Sequence, residues 1–277
     1  MKKIAVLALV LLAIGSVVFA GGSKDSKASA SGVKTIRVGT EGAYPPYNYV
    51  REDGVVDGYD AAVIRAVDEL IPEYTFEFYP TAWDGIFVAL EGGDFDLIAS
   101  DLAWRKERED KYYLSLEPYL WGGSQLVYKA GRTDIHSLKD LVGKKVAAGV
   151  GTNTTSQLED HIKQSGAKIE IVYTDGNIVN ALTEIDSGRV DATISSIVTT
   201  QLTAESLGIK IDGSTIAEWA PSSIHLLFPK TPEGKVIRDR IDVALKQLHA
   251  NGTLSSLSKK YFFGKDHSTK EALAADI

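Results

Sequence analysis

The chain has no cysteine in its 277 residues. Disulfides, thiolate metal sites and thiol nucleophiles are excluded together, so the fold must be held by its core alone. An excess of basic charge is also missing, since 30 Lys and Arg stand against 37 Asp and Glu, a formal charge of −7. An acidic chain suits neither nucleic acid nor anionic lipid surfaces, and no nucleic-acid partner is expected. There is no GxSxG elbow, no HExxH pair and no GxxxxGK loop. The five histidines (His136, His161, His225, His249 and His267) show no metal-ligand spacing and read as helix-surface or loop residues for the most part. No catalytic residue, metal or cofactor is therefore expected. A comfortable membrane span is lacking too. Lys2 and Lys3 precede an apolar run from Ile4 to Ile14, and Val18, Phe19 and Ala20 follow as a small-residue cleavage point. That order is a secretory signal peptide over residues 1–20, too short to span well. Its removal takes away two lysines and no acid, which moves the formal charge from −7 to −9.

What remains is ordinary globular composition, 44% hydrophobic and 24% charged, enough for two modest cores. Residues 21–33 begin GGSKDSKASASG, small and polar without an apolar period, and read as a flexible tether. A cysteine in place of Gly22 would complete a lipoprotein signal; without that thiol the exported protein is expected to be soluble. Residues 34–40 (KTIRVGT) alternate as a strand, and EGAYPPYNYV follows as a proline-fixed loop presenting Tyr44 and Tyr47. A helix is expected over residues 59–70, with Ala62, Val63, Ala66, Val67 and Leu70 on one face. A strand over 74–79 and a helix over 83–90 come next. The stretch FDLIASDLAWRKER then places a short buried strand at Leu97, Ile98 and Ala99, ending on Ser100 and Asp101. Strand, helix, strand, helix, strand predicts an open α/β sheet.

Residues 117–129 read as a passage into a second lobe that repeats this grammar. Its expected elements are a short helix over 137–141, a strand over 145–149 and a helix from Gly151-Thr152-Asn153 to about 165. A strand over 169–173, a helix over 177–186, a strand to Ile194 and a helix over 196–207 follow. Residues 222–228 (SSIHLLF) are extended and return the chain to the first lobe, where helices over 232–249 and 254–263 complete it. The fold class is therefore α/β with two lobes, each an open, mostly parallel sheet flanked by helices, joined by two extended crossings. Residues 34–121 and 226–277 form lobe 1, and residues 122–225 form lobe 2.

Such a topology puts a cleft beyond the carboxyl ends of the strands. Loops 41–47, 100–108, 151–154 and 195–197 fall on four separate strand ends there. Arg108 is shaped to grip a carboxylate through two parallel hydrogen bonds. Its competing reading is one exposed charge among RKEREDK, in weak surface pairs. The convergence of four loops favours the cleft.

These residues resemble the bacterial extracellular solute-binding proteins of family 3, the polar amino-acid-binding proteins of ABC importers. The resemblance runs from about Lys34 to Gly264. It is carried by RVGTEGAYPPYNYV, EDGVVDGYDAAVIRAV, WDGIFVALEGGDFDLIAS ending on Arg108, LKDLVGKKVAAGVGTNTTSQL, ALTEIDSGRVDATISS and VALKQLHANGTLSSLSKKYFFG. It implies the periplasmic-binding-protein fold, with Tyr44 and Trp83 packed on the ligand side chain and Arg108 on its α-carboxylate. Thr152 and Asn153, at a helix start, add to that grip; they also suit a plain helix cap. Ser100 belongs to the same polar strand end.

The departures are as informative. The family's hydroxyl position holds Ala103, and its ammonium-binding acid is Ser196. The usual threonine before the arginine segment is Arg105, and a second helix acid is Ala62. An α-ammonium in a desolvated cleft needs a partner. Asp101 and Glu41 are the candidates, with Asp101 favoured over its alternative role as a solvated turn cap. The resemblance implies capture of a polar amino acid, cationic or zwitterionic, by lobe closure. It further implies delivery to permease subunits in the inner membrane by a monomer on the periplasmic or extracellular face. The alternatives are a cyclohexadienyl-dehydratase-like enzyme on the same fold, or a ligand sensor for a receptor.

Overall fold

The computed structural model describes residues 32–276. The signal-peptide reading of residues 1–20 and most of the tether lie outside the described residues. Among the described residues no helix is long and apolar enough to cross a membrane.

Two five-stranded sheets share one plan. The first runs Tyr74–Pro80, Lys34–Thr40, Leu97–Ile98, Leu227–Pro229, Tyr112–Leu114. The second runs Glu170–Thr174, Lys145–Gly149, Ala192–Ser195, Gln125–Lys129, Ile211–Thr215. In each, the first three strands are parallel and the last two join antiparallel. A parallel pair needs a helical crossover, whereas an antiparallel strand can enter directly from a connection between lobes. Both crossings arrive in that way. They pair with each other as a two-stranded sheet, Leu120–Gly122 against Ser222–Ile224.

Each sheet is covered on both faces, as parallel strands require. Ile36 and Val38 face a core closed by the helices Tyr59–Asp68, Pro232–Ala250 and Thr253–Tyr261, with Phe228 and Phe262 fully buried in it. Ile98 faces the opposite side, against Ile86, Leu90 and Phe95 from helix Trp83–Gly92 and the turn after it. The second sheet alternates in the same way, with Leu126 and Tyr128 on one face and Val127 on the other. The period of two in strand sequences is what sends neighbours to different cores.

Most expected elements form within a few residues of their bounds, but the stretch read as a proline-fixed loop opens a small antiparallel sheet of Ala43–Tyr44, Asn48–Val50 and Val56–Asp57, and four further differences stand out. The extended run 222–228 is broken into Ser222–Ile224, which pairs with the outgoing crossing, and Leu227–Pro229, which joins the first sheet. Strand Ile211–Thr215 (IDGST) was not legible, because its Asp, Gly and Ser read as a turn until a partner strand satisfies its backbone. A further helix, Lys270–Asp276, follows the one expected to be last. The helix at Tyr59–Asp68 turns a different face inward. Tyr59, Asp60, Val63, Ile64 and Val67 are buried, while Ala62, Ala66 and Leu70 are only partly covered.

Gly58, just before that helix, has φ 110°, and a Cβ there would lie 2.4 Å from the Tyr47 carbonyl oxygen. The neighbour is backbone and has nowhere to go. Gly58→Ala is expected to cost about 3 kcal/mol and lower the thermal midpoint by roughly 10 °C, measured by calorimetry.

Candidate functional site

A cavity of about 150 Å³ lies where the strand ends of the two sheets face each other. All ten residues singled out from the sequence line it: Glu41, Tyr44, Trp83, Ser100, Asp101, Ala103, Arg108, Thr152, Asn153 and Ser196. Tyr47, Gly149, Gly176 and Ser195, not singled out as binding residues, line it too.

The two lobes touch on either side of the cavity. Tyr44 and Tyr47 stack with centroids 5.2 Å apart. The Tyr47 hydroxyl donates to Ser196 Oγ at 3.1 Å, and the Tyr44 hydroxyl and Ser195 Oγ share a bond of 3.3 Å. The family's acidic position, here Ser196, is therefore occupied by a hydroxyl already engaged across the cleft. Trp83 donates its indole N–H to the Val150 carbonyl at 3.0 Å. Its ring lies against Gly176, where a Cβ would come within 3.2 Å of Trp83 Cδ1. Gly176 has φ 85°, so glycine serves there both as a left-handed turn and as a bare platform for the indole.

Arg105, which looked like a mere departure from the family pattern, bridges the lobes. Its Nη1 donates to the carbonyls of Gly151 (3.1 Å) and Thr152 (3.3 Å), and its Nη2 donates to Ser156 Oγ. Thr152 caps helix Asn153–Ser165 by accepting from the Thr155 N–H. The sequence allowed both a cap and a cavity wall at this position, and the structure has both.

Arg108 is buried at 6% exposure. Its Nη1 donates to the Ala103 carbonyl at 2.7 Å and its Nη2 reaches the Gly151 carbonyl at 3.4 Å. The guanidinium carbon sits 5.9 Å from the Trp83 ring and 5.7 Å from Phe87. A guanidinium has five N–H donors, so several remain for a ligand. Burial, and then the neighbouring Arg105 charge, bring its pKa down to about 10, which still leaves it a cation at neutral pH.

Asp101 stands opposite in character. It adopts a left-handed φ of 47°, which Asp and Asn tolerate better than other side chains. Its Oδ1 is shielded from solvent and has no hydrogen-bond partner. The residue as a whole keeps some accessible surface, as a cavity-lining residue does. Burial, and then the charge of Asp60, push its carboxyl well above the usual range, while Arg108 pulls it back.

Asp60, behind the cavity wall, is a further residue that the sequence did not mark. It is 1% exposed and accepts from Asn48 Nδ2 (2.7 Å), the Tyr119 hydroxyl (2.6 Å) and the Asp101 N–H (3.1 Å). Burial raises its pKa to about 6, against those hydrogen bonds. Glu41 is set beside the same strand end, its N–H donating to Ser100 Oγ at 3.1 Å. Burial, and then the charge of Asp175, raise its carboxyl to about 7.

Four of the histidines are exposed or partly covered, but His225 is buried between the crossings, bonded to the Ser115 carbonyl and Ser223 Oγ. No group of three candidate metal ligands occurs among the described residues.

Two like sheets, joined by paired crossings and closed over a polar cavity with one buried cation, define a two-lobed solute-binding protein. Comparison makes this specific. The profile of the bacterial extracellular solute-binding proteins, family 3, matches residues 36–265, and the chain belongs to that family. The L-cystine-binding protein TcyJ of Bacillus subtilis (strain 168) is 30% identical over 262 residues, covering 94% of this chain and 95% of the relative. A solved structure titled putative L-cystine ABC transporter from Listeria monocytogenes superposes with a TM-score of 0.76 at 28% identity, covering 86% of this chain and 99% of the other. The ancestral amino acid-binding protein AncCDT-1, titled a precursor of cyclohexadienyl dehydratase, superposes at 0.70 and 27% identity, covering 82% and 95%.

Proposed function

We propose that this protein captures a zwitterionic amino acid between its lobes and delivers it to the permease of an ABC importer. The observation that carries the reading is a pairing of opposites on one cavity wall. Arg108 is a buried cation with donors to spare, and Asp101 holds a shielded carboxyl oxygen without a partner. A ligand with an α-carboxylate and an α-ammonium satisfies both. Leaving either unmet in a closed cleft is costly. Asp101 thus replaces the acid that Ser196 lacks, and the start of helix Asn153–Ser165 adds its dipole at the carboxylate.

Lobe 1 in this reading comprises residues 34–121 and 226–277, and lobe 2 residues 122–225. The paired crossings Leu120–Gly122 and Ser222–Ile224 fall at those boundaries and act as the hinge. The protein works as a monomer outside the cytoplasmic membrane and needs no cofactor. Two of the relatives named above, TcyJ and AncCDT-1, are titled as binding proteins, which supports a role in binding rather than catalysis.

A thermal-shift screen against amino acids, simple amines and amine-free carboxylates tests this reading. A ligand at a hundred times its dissociation constant stabilises the folded state by about 2.7 kcal/mol, so a shift of several degrees is expected for at least one amino-acid class. A shift confined to amine-free carboxylates would overturn the zwitterion reading. It would favour the dehydratase-like alternative that the likeness to AncCDT-1 keeps in view.

A further inference from the structure

The paired crossings are fastened along both outer edges. On the returning one, the Trp104 N–H donates to the Ser223 carbonyl (2.8 Å) and the His225 N–H to the Leu102 carbonyl (2.9 Å), so residues 102–104 of lobe 1 run beside it. On the outgoing one, the Trp121 N–H donates to the His267 carbonyl at 2.8 Å. Trp121 and Ser223 oppose each other in the pair, so both fastenings reach the same rung. The next rung, Gly122 against Ser222, meets the other lobe, where Asn153 Nδ2 donates to Ser222 Oγ at 3.3 Å.

The outgoing edge is held by a segment beyond the family profile, which ends at residue 265. Residues 266–276 are anchored to lobe 1 at several points. The His267 N–H donates to Ser258 Oγ at 2.7 Å, and its ring stacks on Phe262 with centroids 5.1 Å apart. Asp266 accepts from the Ser268 N–H (3.0 Å) and hydroxyl (2.7 Å) and from the Ser255 hydroxyl. In the helix Lys270–Asp276, Leu273 is buried, and Lys270 Nζ stands 5.8 Å from the centre of the Trp121 ring. One segment thus grips the backbone of Trp121 through a hydrogen bond and its indole through a cation–π contact.

We propose that residues 266–276 are a strap that fastens the outgoing crossing to lobe 1 through Trp121 and confines the pivot of lobe opening to Gly122-Gly123. The proposal rests on the hinge reading of the paired crossings. With Trp121 held, the torsional change of opening falls on the residues just beyond it. Those are two glycines, and a Cβ at Gly123 would meet nothing within 4 Å, so crowding in the closed form does not call for glycine there. Glycine's backbone freedom is useful where the chain must hold two conformations. Without the strap, Trp121 joins the pivot. The open form then gains the backbone freedom of about one more residue, and closure must take it away again.

The chain has no cysteine, so spin labels can be placed at two exposed sites, Val236→Cys on lobe 1 and Val142→Cys on lobe 2. Electron–electron distance measurements then follow closure during titration with an equimolar mixture of the standard amino acids and L-cystine. A protein ending at Lys265 is expected to need about tenfold more of the mixture for half closure, with a broader unliganded distance distribution. Leu273→Ala, which loosens the strap without deleting it, should move both readouts the same way by less, and it serves if the shortened chain does not fold. Gly123→Ala should narrow the unliganded distribution. A segment that only adds stability would lower the melting temperature and leave both readouts as in the parent. That result, or a Gly123→Ala distribution like the parent's, would overturn the strap while the hinge stands. Parent lobes that do not approach each other as the mixture is added would remove the hinge reading and the strap with it.

Discussion

Arg108→Ala is expected to weaken amino-acid binding about 100-fold or more, while the unliganded protein melts within a few degrees of the parent. The two effects separate for a physical reason. In the free protein Arg108 is a cation removed from water, with a single short bond to the Ala103 carbonyl and two aromatic rings nearby. Its own desolvation works against it, as the lowering of its pKa to about 10 reflects. Removing it therefore sacrifices little net stability, about 1–2 kcal/mol from the orphaned carbonyl and lost packing. In the complex the balance reverses. A ligand carboxylate enclosed without its guanidinium keeps only the helix N-terminus, and truncating one partner of a buried, hydrogen-bonded charge pair costs about 2–5 kcal/mol. Arg108→Lys retains the charge but loses the planar fork, and about a tenfold loss is expected. Titration calorimetry on the three proteins settles the matter. A dissociation constant within threefold of the parent for the alanine variant would remove Arg108 from the binding role.

The sequence made this corner visible because its devices are local. A short apolar strand ends on Ser100-Asp101, a charged helix begins just beyond, and the strand alternation elsewhere brings three more loops to the same end. What remained hidden depends on partners distant in sequence. Asp60 sits in the first turn of an amphipathic helix and reads as a solvated acid. Its burial follows from Asn48, Tyr119 and the Asp101 N–H, and no spacing announces those contacts. Gly176 reads as a turn, and only the packing of lobe on lobe turns it into a platform for Trp83. Arg105 looked like a lost threonine because its partners lie more than forty residues away on the other lobe. His225 was grouped with surface histidines, since nothing local marks the crossing in which it is buried.

Those hidden contacts also explain how a carboxyl can be kept unpartnered. The Asp60 side chain holds the Asp101 backbone in its left-handed turn, and the same Asn48 accepts the Gly42 N–H at 2.9 Å through its Oδ1. Loop 41–48, the helix at Tyr59–Asp68 and the strand end at Asp101 are thus tied at one carboxylate. This frame holds Asp101 where its Oδ1 finds no protein partner among the described residues.

Asp101→Asn is expected to abolish the preference for amino acids over their des-amino carboxylates. It is a clean probe because Asn is close in size to Asp and tolerates the same left-handed backbone, so the charge is removed and the turn is kept. An amino acid should then bind about 100-fold more weakly, its ammonium facing an amide where a carboxylate stood, while the des-amino analogue, held by Arg108, should lose little. The variant should also alter the pH dependence, and the sign can be worked out. Glu41 rises from an ordinary 4.5 to about 7, Asp60 from 3.8 to about 6, and Asp101 also rises. A raised carboxyl means the folded state holds protons that the unfolded chain has released. This contribution to stability is complete below about pH 4 and is lost as pH climbs through the folded values toward 7. The free protein should therefore melt progressively lower between pH 5 and pH 8, and Asp101→Asn should flatten part of that slope. Ligand binding runs the other way. An ammonium beside these carboxyls favours their ionised forms, so capture releases protons and affinity for a cationic amino acid rises with pH across the same window. Titrations in two buffers of different ionisation enthalpy count those protons. Affinity that falls as pH rises from 5 to 7, or an Asp101→Asn protein that still prefers the amine-bearing ligand, would mean that Asp101 does not receive the ammonium.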